Sequence, residues 1–268
     1  MATHLLNRTT IDTLAGIAVE AGHAIMQIYE QPEAWEVQVK GDASPLTQAD
    51  LLANDIIVAA LGRLAPEIPV LSEESPWTGG DVATYWAVDP LDGTKEFLKR
   101  NGEFTVNIGL VVSGAPVMGV VHAPAQPATW IGMTGHGAFV SRGTSDELGR
   151  WRPISASFAP QTSELRVVAS RSHPSVELEE WLKSVSGKRK VRIVKCGSSL
   201  KICLLAEGKA DLYPRFGPTC FWDTAAAHAV LKASGGKIES LGGLEMTYDS
   251  PSRPMNQFFL ARAADVHI

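Results

Sequence analysis

Cysteine is scarce: Cys196, Cys203 and Cys220 are the only three in 268 residues, odd in number and without a CxxC pair. That argues against a disulfide framework and a thiolate zinc site, fits a reducing cytosol, and makes the three thiols packing residues. Long apolar runs are missing too; none approaches the ~18–20 residues needed to span a bilayer. The opening MATHLLNRTTIDT has no basic region leading into an apolar stretch, so it does not read as a secretory signal. Positive charge is in deficit, with 24 basic against 29 acidic residues and a net charge of −5, which speaks against binding a nucleic acid polymer. Charged residues reach 20% against 45% hydrophobic, a poor match to disorder or coiled coil. What is left is a globular chain expected in the cytoplasm, sized for one large or two small domains. A small anionic substrate stays open, because local groups and metals override the global field.

Apolar residues three and four apart, from Ile11 through Leu14, Ala18, Ala21 and Ile25 to Ile28, predict a helix over 10–31, capped by Thr9 or Thr10 and ended by Pro32. A weak strand is expected at 35–39, then a loop over 40–45. A second helix at 48–64 is expected to turn Leu51, Leu52, Ile56 and Ala59 inward. Between 69 and 140, short β-rich runs punctuated by Gly and Pro predict an antiparallel or mixed sheet. Ser113-Gly114-Ala115-Pro116 reads as one hairpin turn, and Gly132, Gly135 and Gly137 as another. After residue 160, strands and helices alternate, which suggests a smaller α/β unit. The expected division is 1–155, carrying most of the acidic motifs, and 156–268, supplying Asp223.

Four short segments set acids beside turns and helix starts: Leu71-Ser72-Glu73-Glu74-Ser75, Trp86-Ala87-Val88-Asp89-Pro90-Leu91-Asp92-Gly93-Thr94, Phe221-Trp222-Asp223-Thr224 and Thr47-Gln48-Ala49-Asp50. Three of them have a plain alternative: Asp89 and Asp92 shape a turn, Asp223 caps a helix, and Thr47–Asp50 is a capping box. Adjacent Glu73 and Glu74 point to opposite sides of an extended chain, so only one faces a shared centre. The Asp-x-Asp-Gly-Thr pattern of aspartyl-phosphate phosphatases is absent, because Pro90 stands where its first acid would be. Together, Glu73, Asp89, Asp92 and Asp223 with the Leu91 carbonyl would suit a hard divalent cation. No His or Cys accompanies them, which favours Mg²⁺ or Mn²⁺ over zinc. His122, His136 and His228 lack metal-ligand spacing and read as core or surface residues.

SEES, WAVDPLDGTKEF and FWDTAAAHAV, in this order and at these separations, resemble the lithium-sensitive, magnesium-dependent phosphomonoesterases of the inositol monophosphatase superfamily. GSSLKICLLAEGKADLYPRFGPTCFWDTAAAHAV is closest to its bacterial 3'(2'),5'-bisphosphate nucleotidase branch. The resemblance implies a layered α-β-α-β-α sandwich. It implies one Mg²⁺ held by Glu73, Asp89 and the Leu91 carbonyl, and a second held by Asp89, Asp92 and Asp223. A third, weaker site would involve the segment of Lys40 and Asp42, with Glu74. Asp50 and Thr94 match the pair that orients the attacking water, and the Gly93 and Thr94 amides the phosphate cradle. The substrate would contact Glu73, Leu91, Asp92, Gly93, Thr94 and Asp223, with Ser198, Ser199, Lys201 and Arg215 as candidates for a second phosphate.

The implied reaction is direct hydrolysis of 3'(2')-phosphoadenosine 5'-phosphate to AMP by metal-activated water, clearing a by-product of sulfate assimilation. Mn²⁺ would substitute for Mg²⁺, and Li⁺ would inhibit. The alternatives are inositol-1-phosphate or fructose-1,6-bisphosphate hydrolysis on the same scaffold, and a nucleotide sensor without turnover. Two roles compete for the cations near the site. Lys201 and Arg215 either bind phosphate, or are a solvated helix residue and the partner of a surface acid. The sequence leaves monomer and homodimer open, together with peripheral attachment at the inner membrane.

Overall fold

The computed structural model describes residues 2–31, 37–39, 45–143, 150–157, 164–171, 175–187, 189–264 and 266. Lys40, Asp42, Trp35 and Pro32 lie outside the described residues. The first long helix, α1 (Arg8–Tyr29), starts earlier than its apolar stripe predicts. Asn7, not Thr9 or Thr10, is the cap: its Oδ1 accepts the Thr10 N–H at 2.9 Å. Asn in an extended conformation is among the best N-caps, and here it takes precedence over the threonines that follow.

A short antiparallel pair, β1 (Val37–Val39) and β2 (Pro45–Thr47), leads into α2 (Gln48–Leu64). The expected inward face of α2 is wrong. Leu51 and Leu52 are 41% and 42% exposed, Ala59 is exposed and Ile56 half-buried. The buried stripe is Ala49, Asp50, Ala53, Asn54, Ile57, Ala60 and Leu61. Two polar residues one turn apart, Asp50 and Asn54, occupy it because their partners lie in the site below.

A seven-stranded sheet follows, in sequence order: β3 (Val70–Ser72), β4 (Thr84–Asp92), β5 (Thr105–Val112), β6 (Ala115–Ala123), β7 (Ala128–Met133), β8 (Gly137–Arg142) and β9 (Arg152–Ile154). Only the β3–β4 pair is parallel; the rest form an antiparallel meander. Ser113 and Gly114, both at positive φ, make the expected turn between β5 and β6. A one-turn helix, α3 (Thr94–Leu98), follows β4.

The remaining chain builds β10 (Glu164–Ser170), α4 (Val176–Ser186), β11 (Lys190–Cys196), α5 (Leu200–Ala206), β12 (Leu212–Arg215), α6 (Phe221–Ala233), β13 (Lys237–Ser240) and β14 (Phe259–Arg262). Its sheet runs β11-β10-β12-β14-β13. The β10-α4-β11 and β11-α5-β12 crossovers join parallel strands while stepping in opposite directions. Right-handed crossovers then put α4 and α5 on opposite faces. With α1 and α2 outside the first sheet, and α5 and α6 between the sheets, the result is the expected α-β-α-β-α layering. One apolar cluster lies under α1 and α2, and a larger one surrounds α5 and α6. Cys196 and Cys203 are buried and Cys220 half-buried, all free, as packing residues would be. Among the described residues no helix is long and apolar enough to cross a membrane.

Helix α6 lies directly on the first sheet because three neighbouring strands carry glycine beneath it. Gly109, Gly119 and Gly132 pair in register across β5, β6 and β7. A Cβ at Gly109 would sit 2.9 Å from the Ala226 nitrogen, and those at Gly119 and Gly132 would overlap the Ala226 carbonyl and Val230 Cα. Gly132 therefore serves helix packing, and only Gly135 and Gly137 shape the turn at positive φ. Because the α6 backbone itself would have to move, Gly119→Ala is expected to destabilise the protein by about 3 kcal/mol. Urea denaturation monitored by circular dichroism checks this.

Candidate active site

Strand β4 ends in a bulge. Its ladder with β5 runs regularly to Asp89 opposite Asn107, then shifts before Asp92 pairs with Thr105. Pro90 has no N–H for the ladder, and Asp89 Oδ1 accepts the Leu91 N–H at 3.0 Å instead. Gly93, at φ +95, then turns the chain into α3. A side chain there would meet the Glu103 carbonyl at 3.0 Å, so the turn needs glycine for conformation and for space. The bulge thus brings Asp89 and Asp92 to one end of the sheet beside the Leu91 carbonyl.

Glu73 follows directly on the neighbouring strand β3, its N–H bonded to the Val88 carbonyl at 3.1 Å. The preceding Ser72 donates to Asn54 Oδ1 at 2.7 Å, and Asn54 Nδ2 donates to Ser75 at 3.1 Å, pinning the turn to α2. Asp223 is the third residue of α6, in its first turn. One of its oxygens accepts the Cys220 N–H at 2.7 Å, so it caps the helix and also faces the cluster. Carboxylate oxygens of Glu73, Asp89 and Asp223 all lie within 4.8 Å of one another. A capping carboxylate can thus also face the cluster, and Asp50 likewise combines a cap with a contact to the site. Its Oδ2 accepts from the Thr47 N–H and hydroxyl at 2.8 and 2.6 Å, while its Oδ1 accepts the Thr94 hydroxyl at 3.2 Å.

Such crowding is costly without compensation. Burial raises the Asp89 carboxyl well above the usual range, reinforced by Glu73, Asp92, Asp223 and Glu74. Asp223 is pushed up to about 8 by burial, Asp92 and Glu73. Asp92 is raised to about 6 by burial, with Lys201 pulling it back and Glu73 pushing it up. The cluster holds oxygen donors alone and shares more negative charge than its neighbours neutralise, which fits a hard divalent cation.

A cleft of about 250 Å³ opens over this floor. Glu73, Asp89, Leu91, Asp92, Gly93, Thr94 and Asp223 form one side, and Ser198, Ser199, Lys201 and Arg215 the other. Lys201 is not a solvated helix residue: it is 7% exposed, and its Nζ donates to the Ser198 carbonyl at 2.5 Å. Arg215 forms no ion pair with a surface acid among the described residues; its Nη2 donates to the Pro218 carbonyl at 3.1 Å. His122 and His228 are buried in the core and His136 is exposed, away from the cleft lining.

A model of the inositol monophosphatase family matches residues 6–258. The chain belongs to that family. It is 44% identical over 256 residues to the 3'(2'),5'-bisphosphate nucleotidase CysQ of Shigella flexneri, covering 93% of this chain and 98% of that one. The CysQ of Escherichia coli K12 is equally similar, and that of Buchnera aphidicola is 41% identical over 262 residues, covering 96% and 94%. Among solved structures, CysQ from Bacteroides thetaiotaomicron superposes with a TM-score of 0.81 at 39% identity, over 95% and 97% of the two chains. The suhB protein of Bartonella henselae gives 0.78 at 25% identity, over 96% and 94%.

Within this inositol monophosphatase fold, residues that carry no motif complete the site. Ser199 Oγ donates to Asn107 Oδ1 at 2.7 Å and lies 2.8 Å from Thr105 Oγ1, linking α5 to β5 behind Asp92. Asn54, Thr105 and Asn107 escape a sequence reading because single polar residues in apolar elements give no spacing signal. Their one trace is a polar residue on a face that otherwise reads as core.

Proposed function

We propose that this chain is a Mg²⁺-dependent phosphomonoesterase that removes the 3'-phosphate from 3'-phosphoadenosine 5'-phosphate, leaving AMP. The observation that carries the reading is the Glu73–Asp89–Asp223 cluster, with Asp89 buried and the other two half-buried, facing Lys201 and Arg215 across one cleft. Glu73, Asp89 and the Leu91 carbonyl would hold one cation, and Asp89, Asp92 and Asp223 a second. Mn²⁺ would be an acceptable substitute. When bound, such ions supply Lewis acidity toward the phosphoryl oxygens and the attacking water.

The remaining roles fall to the chain itself. The Thr94 hydroxyl donates a hydrogen bond to Asp50 Oδ1, so its oxygen lone pairs are free to accept from a water. Asp50, held by Thr47, is the base: as that water's proton passes to the Thr94 oxygen, the Thr94 hydroxyl proton passes to the Asp50 carboxylate. Gly93 and Thr94 offer backbone N–H groups to the transferred phosphate. Ser198, Lys201 and Arg215 take the second phosphate, Arg215 with a planar fork suited to it. Its Nε is buried without an acceptor among the described residues. The similarity to the CysQ nucleotidases supports this substrate over monophosphorylated alcohols.

The test is a panel of 3'-phosphoadenosine 5'-phosphate, inositol 1-phosphate and fructose 1,6-bisphosphate at one Mg²⁺ concentration. The bisphosphorylated nucleotide is expected to show at least a tenfold advantage in kcat/KM, with Li⁺ inhibiting. A preference for inositol 1-phosphate would overturn the substrate assignment.

A further inference from the structure

The turn over residues 197–199 joins the two sheets, and its anchor lies outside the reacting centre. Glu103, in the segment before β5, accepts the Gly197 N–H with Oε2 at 2.8 Å. The same carboxylate receives Arg171 in a two-pronged pair, Nε to Oε2 at 2.8 Å and Nη2 to Oε1 at 2.7 Å. Arg171 Nη2 also reaches the Lys195 carbonyl at 3.1 Å, tying the pair to β11. The Glu103 carboxylate is largely enclosed, with its side chain 16% exposed, whereas Arg171 is 42% exposed.

The fit around the turn is close. A Cβ at Gly197 would lie 2.9 Å from the Glu103 carbonyl and 2.8 Å from Glu96 Cγ. The next residue, Ser198, sits at φ +46, in the left-handed region that side chains rarely adopt. A conformation of that kind persists only where the surroundings over-determine it. Here the Glu103 bond fixes Gly197 on one side, and Asn107 and Thr105 fix Ser199 on the other. The carbonyl of Ser198, aimed by this strained turn, is what receives the Lys201 ammonium. A continuous series of contacts therefore runs from Arg171 through Glu103, Gly197 and Ser198 to Lys201, a cation lining the cleft.

We infer that Glu103, clamped by Arg171, is a positioning residue that fixes the 197–199 turn and with it the preference for substrates carrying a second phosphate. The inference rests on the substrate reading above. Arg171 balances the Glu103 charge, so that an acid close to the cleft does not repel an anionic substrate.

The experiment compares kcat and KM for 3'-phosphoadenosine 5'-phosphate and adenosine 3'-monophosphate in wild type, Glu103→Ala, Glu103→Gln and Arg171→Ala. Glu103→Ala is expected to lower the kcat/KM ratio between the two substrates about tenfold, through KM of the bisphosphate. Glu103→Gln keeps an acceptor for Gly197 and should recover part of that ratio. Should Glu103→Ala yield no folded protein, Arg171→Ala carries the test, with an expected fall of about threefold. A ratio equal to wild type, or losses of the same size on both substrates, would overturn the positioning role. A wild type that does not favour the bisphosphate would instead overturn the substrate reading, so the two failures are distinguishable.

Discussion

Asp89→Asn is expected to lower kcat at least 10³-fold while making the metal-free protein harder to melt. Asp89 is 1% exposed and meets Glu73 and Asp223 oxygens within 4.8 Å. Its backbone role survives the change, because an asparagine oxygen still accepts the Leu91 N–H that Asp89 holds at 3.0 Å. The new amide then donates toward carboxylates that previously repelled it. Removing a buried like-charge contact raises stability, by roughly 2–4 °C in Tm for each kcal/mol of repulsion relieved in a chain of about this size. Catalysis moves the other way, since Asp89 is the one side chain assigned to both cation sites. Loss of an electrostatic contact made chiefly in the transition state commonly costs 10²–10³ in rate, and here two are affected together. Steady-state turnover with 3'-phosphoadenosine 5'-phosphate and scanning calorimetry in EDTA check the two halves. Activity within tenfold of wild type would refute the catalytic assignment, and an unchanged Tm would refute the repulsion.

That opposition between stability and chemistry also decides what could be read from the sequence. Acids placed after a strand or before a helix stand out against 45% hydrophobic residues. Glu73, Asp89 and Asp223 were therefore legible as one site, and so was the change from a meander to an alternating second half, whereas the layered arrangement followed only from the family resemblance. The face of α2 was not legible. Burying Asp50 and Asn54 while leaving Leu51 and Leu52 at the surface contradicts the hydrophobic rule. Only the tertiary partners Thr94, Ser72 and Ser75 explain it. The glycine stripe was hidden for a related reason. Gly109, Gly119 and Gly132 are far apart in the chain, and their alignment exists only once strand register is fixed. Glu103 and Arg171 are separated by 68 residues, and nothing local marks either one. Local spacing reveals groups that share a turn, while contacts across the two sheets require the fold.

In EDTA, the protein is expected to lose stability as pH rises from about 6.5 to 8, and Mg²⁺ is expected to reverse that loss. A carboxyl raised on folding stays protonated in the native state after the unfolded chain has ionised, so stability falls between the two pKa values. Burial and mutual repulsion raise Asp223 to about 8 and Asp89 well above the ordinary range. Their combined effect extends upward from near pH 4. Below pH 6.5 two buried histidines oppose it. His122, lowered to about 4, and His228, lowered to about 3, are both held neutral chiefly by desolvation, so the unfolded state gains their protons first. The acid side is reinforced by Glu207, where hydrogen bonds from Lys209, Arg142 and Trp130 outweigh burial and lower the pKa. Stability from that residue is lost as pH falls through the carboxylate range. The window above 6.5 therefore isolates the acidic cluster. A bound cation favours the ionised carboxylates, so the Tm gain from Mg²⁺ should be larger at pH 8 than at pH 6.5. Asp223→Asn should flatten the metal-free decline. A Tm in EDTA that stays level from pH 6.5 to 8 would mean that the carboxylates are not in mutual repulsion, and the case for a cation between them would fail.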